Sequence, residues 1–128
     1  MPATKMNNLT GKEWLQNSFT IWRDIRKSKE ESKLKHPAMF PQSLVEKLID
    51  IYTKDPGEVI LDPFLGSGTT ATVAKKLGRN YYGIEKEKNY FKAAQERLNN
   101  TKPIEDDFLD TLKNNRSKPR IPFGSLVE

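Results

Sequence analysis

The sequence contains no cysteine, so it offers neither a disulfide framework nor the metal sites that are built on Cys ligands. Its single histidine, His36, has no second His and no carboxylate at metal-ligand spacing, so we expect no metal site and no nucleophilic role there. The N-terminus has no long apolar run, which argues against a secretory signal or a membrane span and predicts a cytoplasmic location. No Pro-Pro pair occurs anywhere in the chain.

The length of 128 residues allows at most one domain, and the net charge is +5. Part of this charge lies in a basic run between residues 23 and 35, which contains Arg23, Arg26, Lys27, Lys29, Lys33 and Lys35. The run could contact phosphates, or it could be the solvated face of a helix. Both interpretations stay open.

Residues 59–70 read Val-Ile-Leu-Asp-Pro-Phe-Leu-Gly-Ser-Gly-Thr-Thr, which predicts a strand, a glycine turn and the start of a helix. Such a turn brings backbone N–H groups close to a bound ligand. Asp62 ends the strand, so we expect its carboxylate to point into the crevice beside the turn, where it suits a positively charged amine. Thr69 or Thr70 is the predicted cap of the following helix, and Gly78 its end.

A second predicted strand, residues 80–84, ends at Glu85, which lies 17 positions after Gly68. Nucleotide-binding α/β units place an acid at about this distance to bind the ribose hydroxyls. A carboxylate can accept hydrogen bonds from both hydroxyls. The alternative is a solvated glutamate in a charged run, because Lys86, Glu87 and Lys88 follow; the position at the end of a strand favours the ribose role.

Three further helices complete the predicted secondary structure. A helix over 43–53 begins at Ser43, with Glu46 as the partner in a capping box. A helix over 89–99 carries a core stripe of Tyr90, Phe91, Ala94 and Leu98, and an N-terminal helix around 11–30 packs through Trp14, Phe19 and Trp22. Strands at 58–61 and 80–84, joined by the helix 69–77, predict a parallel βαβ unit.

The segment Asp62–Thr70 closely resembles the cofactor motif of DNA amino-methyltransferases, which methylate the exocyclic nitrogen of adenine or cytosine. Gly83-Ile84-Glu85 resembles their second cofactor motif. His36-Pro37, with Pro41 four residues later, resembles the segment that packs beside the cofactor loop, although Phe40 stands where many relatives carry Lys. The resemblance covers about residues 9–100. It implies an α/β, partial Rossmann-like S-adenosylmethionine-dependent methyltransferase fold, with a small parallel sheet flanked by helices.

S-adenosyl-L-methionine is therefore the implied cofactor. The resemblance assigns its binding to Asp62, Pro63, Phe64, Gly66, Ser67, Gly68, Thr69, Thr70, Glu85, His36, Pro37 and Phe40. We expect residues 1–10 to form a flexible N-terminal tail, 11–100 the partial cofactor-binding domain, and 101–128 a C-terminal extension. A relaxed dinucleotide fingerprint also fits Gly66, Gly68 and Ala71, but in that fingerprint the glycines follow the strand without an intervening Asp-Pro-Phe.

The order of these motifs resembles the class in which the catalytic half lies N-terminal to the cofactor half. That half carries an Asp/Ser-Pro-Pro-Tyr/Trp tetrapeptide, which this sequence lacks. We therefore assign no catalytic residue. We expect double-stranded DNA as substrate, and either a separate N-terminal catalytic half or self-association. The alternative is a non-catalytic remnant that binds the cofactor or nucleic acid.

Overall fold

A computed structural model describes residues 5–33 and 39–104 of the chain. Its elements are α1 (Gly11–Asn17), α2 (Lys29–Lys33), α3 (Gln42–Tyr52), β1 (Val59–Asp62), α4 (Thr69–Lys76), β2 (Asn80–Gly83) and α5 (Lys88–Asn100). β1 and β2 pair in parallel, with Val59 opposite Asn80 and Asp62 opposite Gly83. The predicted parallel βαβ unit is confirmed, with strand ends that differ by one residue from the prediction.

α4 is the central element of the core, and it packs against α3, α5 and both strands. Four consecutive residues, Ala71 to Ala74, are buried because neighbours surround the helix. One cluster joins α4 to α3 and to the inner face of the sheet through Val45, Ile49, Val73, Ala74 and Leu77, with Ile60 and Tyr81 against it. A second cluster, Leu65, Ala71 and Ala94, joins α4 to α5.

The other face of the sheet is apolar and exposed. Side chains alternate along each strand, and the outward positions are held by Val59, Leu61 and Tyr82, which are 58%, 64% and 68% exposed. A parallel sheet normally has both faces covered. Within residues 5–33 and 39–104, only the inner face is covered.

The sequence predicted the C-terminal end of α4 correctly, but not its N-terminal cap. Gly78 ends the helix as expected: its φ is +71°, its N–H donates to the Lys75 carbonyl (3.2 Å), and the Arg79 N–H donates to the Ala74 carbonyl (2.8 Å). The predicted threonine cap is wrong. Gly68, with φ +86°, is the N-cap residue and no side chain caps the helix, so Thr69 and Thr70 are already helical.

The capping box predicted at Ser43 and Glu46 is also wrong. α3 begins one residue earlier, after Pro41, and no side chain of the described residues caps it. The Ser43 hydroxyl instead donates to the Arg26 carbonyl (3.0 Å) and accepts the Arg26 N–H (3.3 Å). The Ser43 hydroxyl is therefore engaged in a tertiary contact with Arg26 and does not cap α3.

The single helix predicted over 11–30 is two short helices, because residues 18–28 are not helical. At the end of α1 the Ser18 hydroxyl donates to the Leu15 carbonyl (2.7 Å), and the Trp22 indole N–H donates to the Asn17 carbonyl (3.2 Å). These bonds satisfy carbonyls that a continuing helix would use. Trp14 and Phe19 are exposed, so their predicted packing role is wrong; Trp22 is half-buried beneath the Lys47 ammonium.

The predicted apolar stripe of α5 is confirmed only in part. Ala94 is buried and Leu98 packs beside it, whereas Phe91 is exposed. None of the helices in the described ranges is long and apolar enough to cross a membrane.

Residues on both sides of the predicted 11–100 domain contact it. The Asn7 side-chain amide donates to the Ile51 carbonyl (2.7 Å), and the Ile104 N–H donates to the Lys76 carbonyl (3.0 Å). The domain limits remain predictions.

Replacement of Gly68 by Ala should destabilise the fold more than replacement of Gly57 by Ala. Both glycines have φ near +87°, where a β-carbon costs about 1–2 kcal/mol. A Cβ at Gly68 would also lie 2.8 Å from the Ala94 Cβ and 3.0 Å from its Cα, whereas at Gly57 the nearest atom is 4.0 Å away. Overpacking of this kind adds about 1–3 kcal/mol. Urea unfolding of the two variants measures the difference, and equal losses would contradict the close approach.

Candidate functional site

The glycine turn and the end of β2 meet at the carboxyl edge of the sheet. Asp62 pairs with Gly83 in the last register position. Beyond it, the Ile84 N–H donates to the Asp62 carbonyl (3.0 Å) and the Leu65 N–H donates to the Ile84 carbonyl (2.9 Å). The chain segments that follow the two strands are thus bonded to each other, which brings the turn beside Glu85. In open α/β sheets, ligands bind in the crevice at this edge.

Glu85 is bonded to the turn. Its Oε2 accepts the Gly66 N–H (2.7 Å), and its Oε1 accepts the Glu87 N–H (2.8 Å). These two bonds orient the carboxylate, which is unlike a freely solvated glutamate. Each oxygen keeps a further lone pair, so the group can still accept hydrogen bonds from ligand hydroxyls.

Asp62 is half-buried, and only one of its oxygens is engaged. Oδ1 accepts the Phe64 N–H (3.0 Å), which forms a turn between the side chain and the backbone two residues on. Oδ2 has no hydrogen-bond partner among the residues that the structure describes. The turn therefore fixes the direction of the carboxylate and leaves one oxygen for a ligand.

Backbone N–H groups of the turn are largely used within the protein. The Gly66 N–H donates to Glu85, and the Gly68 N–H donates to the Leu65 carbonyl (3.1 Å). The first bond inside α4 runs from the Thr72 N–H to the Gly68 carbonyl (2.9 Å), so the three preceding N–H groups have no acceptor one turn earlier. This positive end of the helix suits an anionic group.

Ser67 and Thr69 are buried, and both contact Arg97. Arg97, on α5, donates from Nη1 to the Ser67 carbonyl (2.7 Å), the Ser67 hydroxyl (3.2 Å) and the Thr69 hydroxyl (3.3 Å). Arg97 was not among the residues predicted from the sequence. One pattern in the sequence could have indicated its role: Arg97 follows Ala94 by three residues, a spacing that places it on the buried side of an amphipathic helix.

The charges of Arg97 and Glu31 influence each other. Burial lowers the pKa of Arg97, and the negative charge of Glu31 opposes that shift. Burial raises the pKa of Glu31, but hydrogen bonds from the N–H groups of Ser28 (2.7 Å) and Gln42 (2.7 Å) outweigh it and leave the pKa below its ordinary value. At neutral pH the pair is therefore a buried carboxylate and a half-buried guanidinium.

The other predicted site residues lie at the rim or outside the described residues. Phe64 is 88% exposed at the tip of the turn, beside the exposed Pro63. Phe40 is exposed as well. His36 and Pro37 lie outside the described residues.

Residues 5–33 and 39–104 contain no group of three His, Cys, Asp or Glu side chains that could hold a metal ion. A separate cavity of about 400 Å³ lies beside Trp14, Trp22 and Tyr52, and it includes none of the predicted cofactor-binding residues. The crevice, by contrast, combines two oriented carboxylates, a helix N-terminus and an exposed aromatic ring. It suits a ligand that carries an ammonium group, a carboxylate and vicinal hydroxyls.

Comparisons with known proteins match this region of the chain. Type II methyltransferase M.HinfI of Haemophilus influenzae is 43% identical over 99 residues, which are 77% of this chain and 27% of that protein. The crystal structure of M1.HpyAVI with S-adenosylmethionine is 51% identical, with a TM-score of 0.50 over 53% of this chain and 33% of that one.

TTHA0409 of Thermus thermophilus, in complex with S-adenosyl-L-methionine, is 32% identical, with a TM-score of 0.56 over 74% of this chain and 34% of that chain. This chain thus spans about a third or less of the length of these relatives. The likeness confirms the partial Rossmann-like α/β fold, with its small parallel sheet, that the resemblance implied. A family model described as DNA methylase matches residues 2–96, and the chain therefore belongs to the DNA methylase family.

Proposed function

We propose that this chain is the S-adenosylmethionine-binding part of a DNA methyltransferase, which methylates the exocyclic amine of adenine or cytosine in double-stranded DNA. The observation that carries the proposal is the bond between Glu85 and the Gly66 N–H, because it unites both cofactor motifs at one edge of the sheet. Solved relatives in complex with S-adenosylmethionine support the choice of cofactor.

The crevice offers a partner for the ammonium, the carboxylate and the ribose hydroxyls of this cofactor. Oδ2 of Asp62 binds the ammonium of the methionine moiety, and the N-terminus of α4 lies where it favours the carboxylate. Glu85 accepts hydrogen bonds from the ribose hydroxyls. Phe64 and Phe40 offer apolar surface at the rim, and His36 and Pro37 belong to the segment assigned to the methionine end.

Bound S-adenosylmethionine supplies a sulfonium methyl group that an amino nitrogen can accept directly. The residues of this chain bind and orient that cofactor. The target base must leave the duplex to reach the methyl group, and we assign no residue of this chain to hold it. The sequence contains no Pro-Pro pair, and we propose that a separate N-terminal half supplies the catalytic tetrapeptide.

The exposed outer face of the sheet is the proposed contact with that half. Its apolar side chains, Val59, Leu61 and Tyr82, are exposed, and among the described residues both edges of the two-stranded sheet are open to further strands. The alternative is self-association, in which a second copy of this chain pairs with the same edges. A chain that binds the cofactor but gains no activity from any partner would be the non-catalytic remnant.

Replacement of Asp62 by Ala should weaken binding of S-adenosylhomocysteine by about 1.5–3 kcal/mol, because a charge-assisted bond to the ligand amine is lost. Titration calorimetry measures the loss. Asp62→Asn keeps an acceptor for the Phe64 N–H, so it separates loss of charge from loss of the turn. Asp55→Ala, in the other Asp-Pro pair, is the matched control and should bind as the wild type does. Tight NAD binding without any response to S-adenosylhomocysteine would reject the cofactor assignment.

Replacement of Glu85 by Gln should weaken binding less than replacement by Ala. The Gln side chain keeps the shape and one carbonyl acceptor for the Gly66 N–H or for a hydroxyl, whereas Ala removes every acceptor. We expect a loss of about 1 kcal/mol for Gln and up to about 3 kcal/mol for Ala in calorimetry. Glu87→Gln, two residues on and exposed, is the control. Unchanged affinity in both Glu85 variants would show that Glu85 does not bind the ribose and is only a surface group.

The purified chain alone should not methylate DNA. Positioning of the target nitrogen against the methyl group carries much of the rate, and this chain does not supply it. Incubation with labelled cofactor and mixed-sequence duplex DNA tests this expectation, and addition of a tetrapeptide-containing N-terminal half should restore label transfer. Label transfer by the monomer would show that another residue of the chain orients the base.

Association with that half has its own control. Tyr82→Asp puts a charge on the outer face of the sheet and should abolish restored activity while S-adenosylhomocysteine still binds. Tyr52→Asp, at a similarly exposed tyrosine of α3, should leave the restored activity intact.

A further inference from the structure

A single peptide group forms the centre of the glycine turn, and the protein holds it at both ends. Its N–H, that of Gly68, donates to the Leu65 carbonyl (3.1 Å). Its carbonyl, that of Ser67, accepts Nη1 of Arg97 at 2.7 Å. Gly68, which contributes the N–H of this group, has a φ of +86°, and Gly66, just before Ser67, has a φ of +57°. Glycine permits many backbone conformations, so the turn would be less restricted without the two bonds.

Arg97 makes the stronger of these two contacts. A guanidinium donor gives shorter and stronger hydrogen bonds than a neutral donor does. The same nitrogen also lies within 3.2 Å and 3.3 Å of the Ser67 and Thr69 hydroxyls. The guanidinium therefore contacts the turn and the first residue of α4 together.

The surroundings of Arg97 connect the turn with the segment before α3. Nη1 lies 3.7 Å from the sulfur of the buried Met39, next to Phe40. Glu31, whose charge acts on Arg97, accepts the Gln42 N–H at the start of α3. Arg97 thus lies between two chain segments that the cofactor proposal assigns to ligand binding.

We propose that Arg97 is a positioning residue for the cofactor: it fixes the Ser67–Gly68 peptide, and through it the start of α4, without touching the ligand. This inference rests on the proposed function, and it adds a residue outside both cofactor motifs. A fixed turn binds more tightly because less conformational freedom is lost when the ligand arrives.

The test is calorimetry with S-adenosylhomocysteine on the full chain, well below the unfolding temperature of every variant. Arg97→Met should lower affinity by about tenfold or more, because the charged donor is lost. Arg97→Lys keeps one charged donor and should recover part of the affinity. Ile49→Val, at a buried residue of α3 in the other core cluster, should lower the unfolding temperature but leave affinity within about twofold of the wild type.

Amide hydrogen exchange gives a second readout that general destabilisation would not produce. In unliganded Arg97→Lys, exchange at the Gly68 amide should accelerate relative to the Arg79 amide, which is bonded at the far end of α4. This measurement decides the question if Arg97→Met fails to fold. Equal acceleration at both amides would overturn the proposal.

The outcomes separate the two proposals. If the wild type binds S-adenosylhomocysteine and Arg97→Met binds it equally well, Arg97 has no positioning role and the proposed function stands. An affinity loss no larger than that of Ile49→Val would likewise overturn the role of Arg97 alone. If the wild type does not bind, the proposed function fails, and the role of Arg97 fails with it.

Discussion

The close approach of α5 to the glycine turn is the contact on which the site geometry depends. Gly68 lies so near Ala94 that a β-carbon at Gly68 would be 2.8 Å from the Ala94 Cβ. The small residue on each side allows the backbone of the turn to rest on the helix. Arg97 is one turn further along α5, and this approach brings its guanidinium within reach of the Ser67 carbonyl. A larger residue at either position would separate the turn from the group that fixes it.

The second close approach is at Gly83, where a β-carbon would lie 2.5 Å from a Leu65 methyl. This contact lets Leu65 pack below the strand end while its N–H bonds to the Ile84 carbonyl. The turn is therefore held from β2 on one side and from α5 on the other. This arrangement determines how both acids of the crevice are oriented, because Asp62 and Glu85 each accept a backbone N–H from the turn.

The sequence was sufficient to predict the central βαβ unit and to place Asp62 and Glu85 at the same edge of the sheet. Parallel strands bring their carboxyl ends to one edge, so residues that end two such strands must lie close together. The N-terminal caps of α3 and α4 could not be predicted, because the hydroxyls of Ser43 and Thr69 bond to partners distant in sequence, Arg26 and Arg97. The spacing after Ala94 placed Arg97 on the buried side of α5, but its contacts with Ser67 and Met39 join segments distant in sequence, and no local pattern predicts them.

The cofactor crevice and the outer face of the sheet are built from different sides of the same strands. Asp62 shares the inward side of β1 with Ile60, and the turn rests on Leu65, Ala71 and Ala94. Val59 and Leu61 point the other way and contribute nothing to these contacts. A partner that packs on the outer face would therefore stabilise the strands. The orientation of Asp62 and Glu85, in contrast, is set by their bonds to the turn. For this reason the proposed cofactor binding and the proposed contact with a catalytic half would be physically separable, because a substitution on one side of the sheet leaves the contacts on the other side in place.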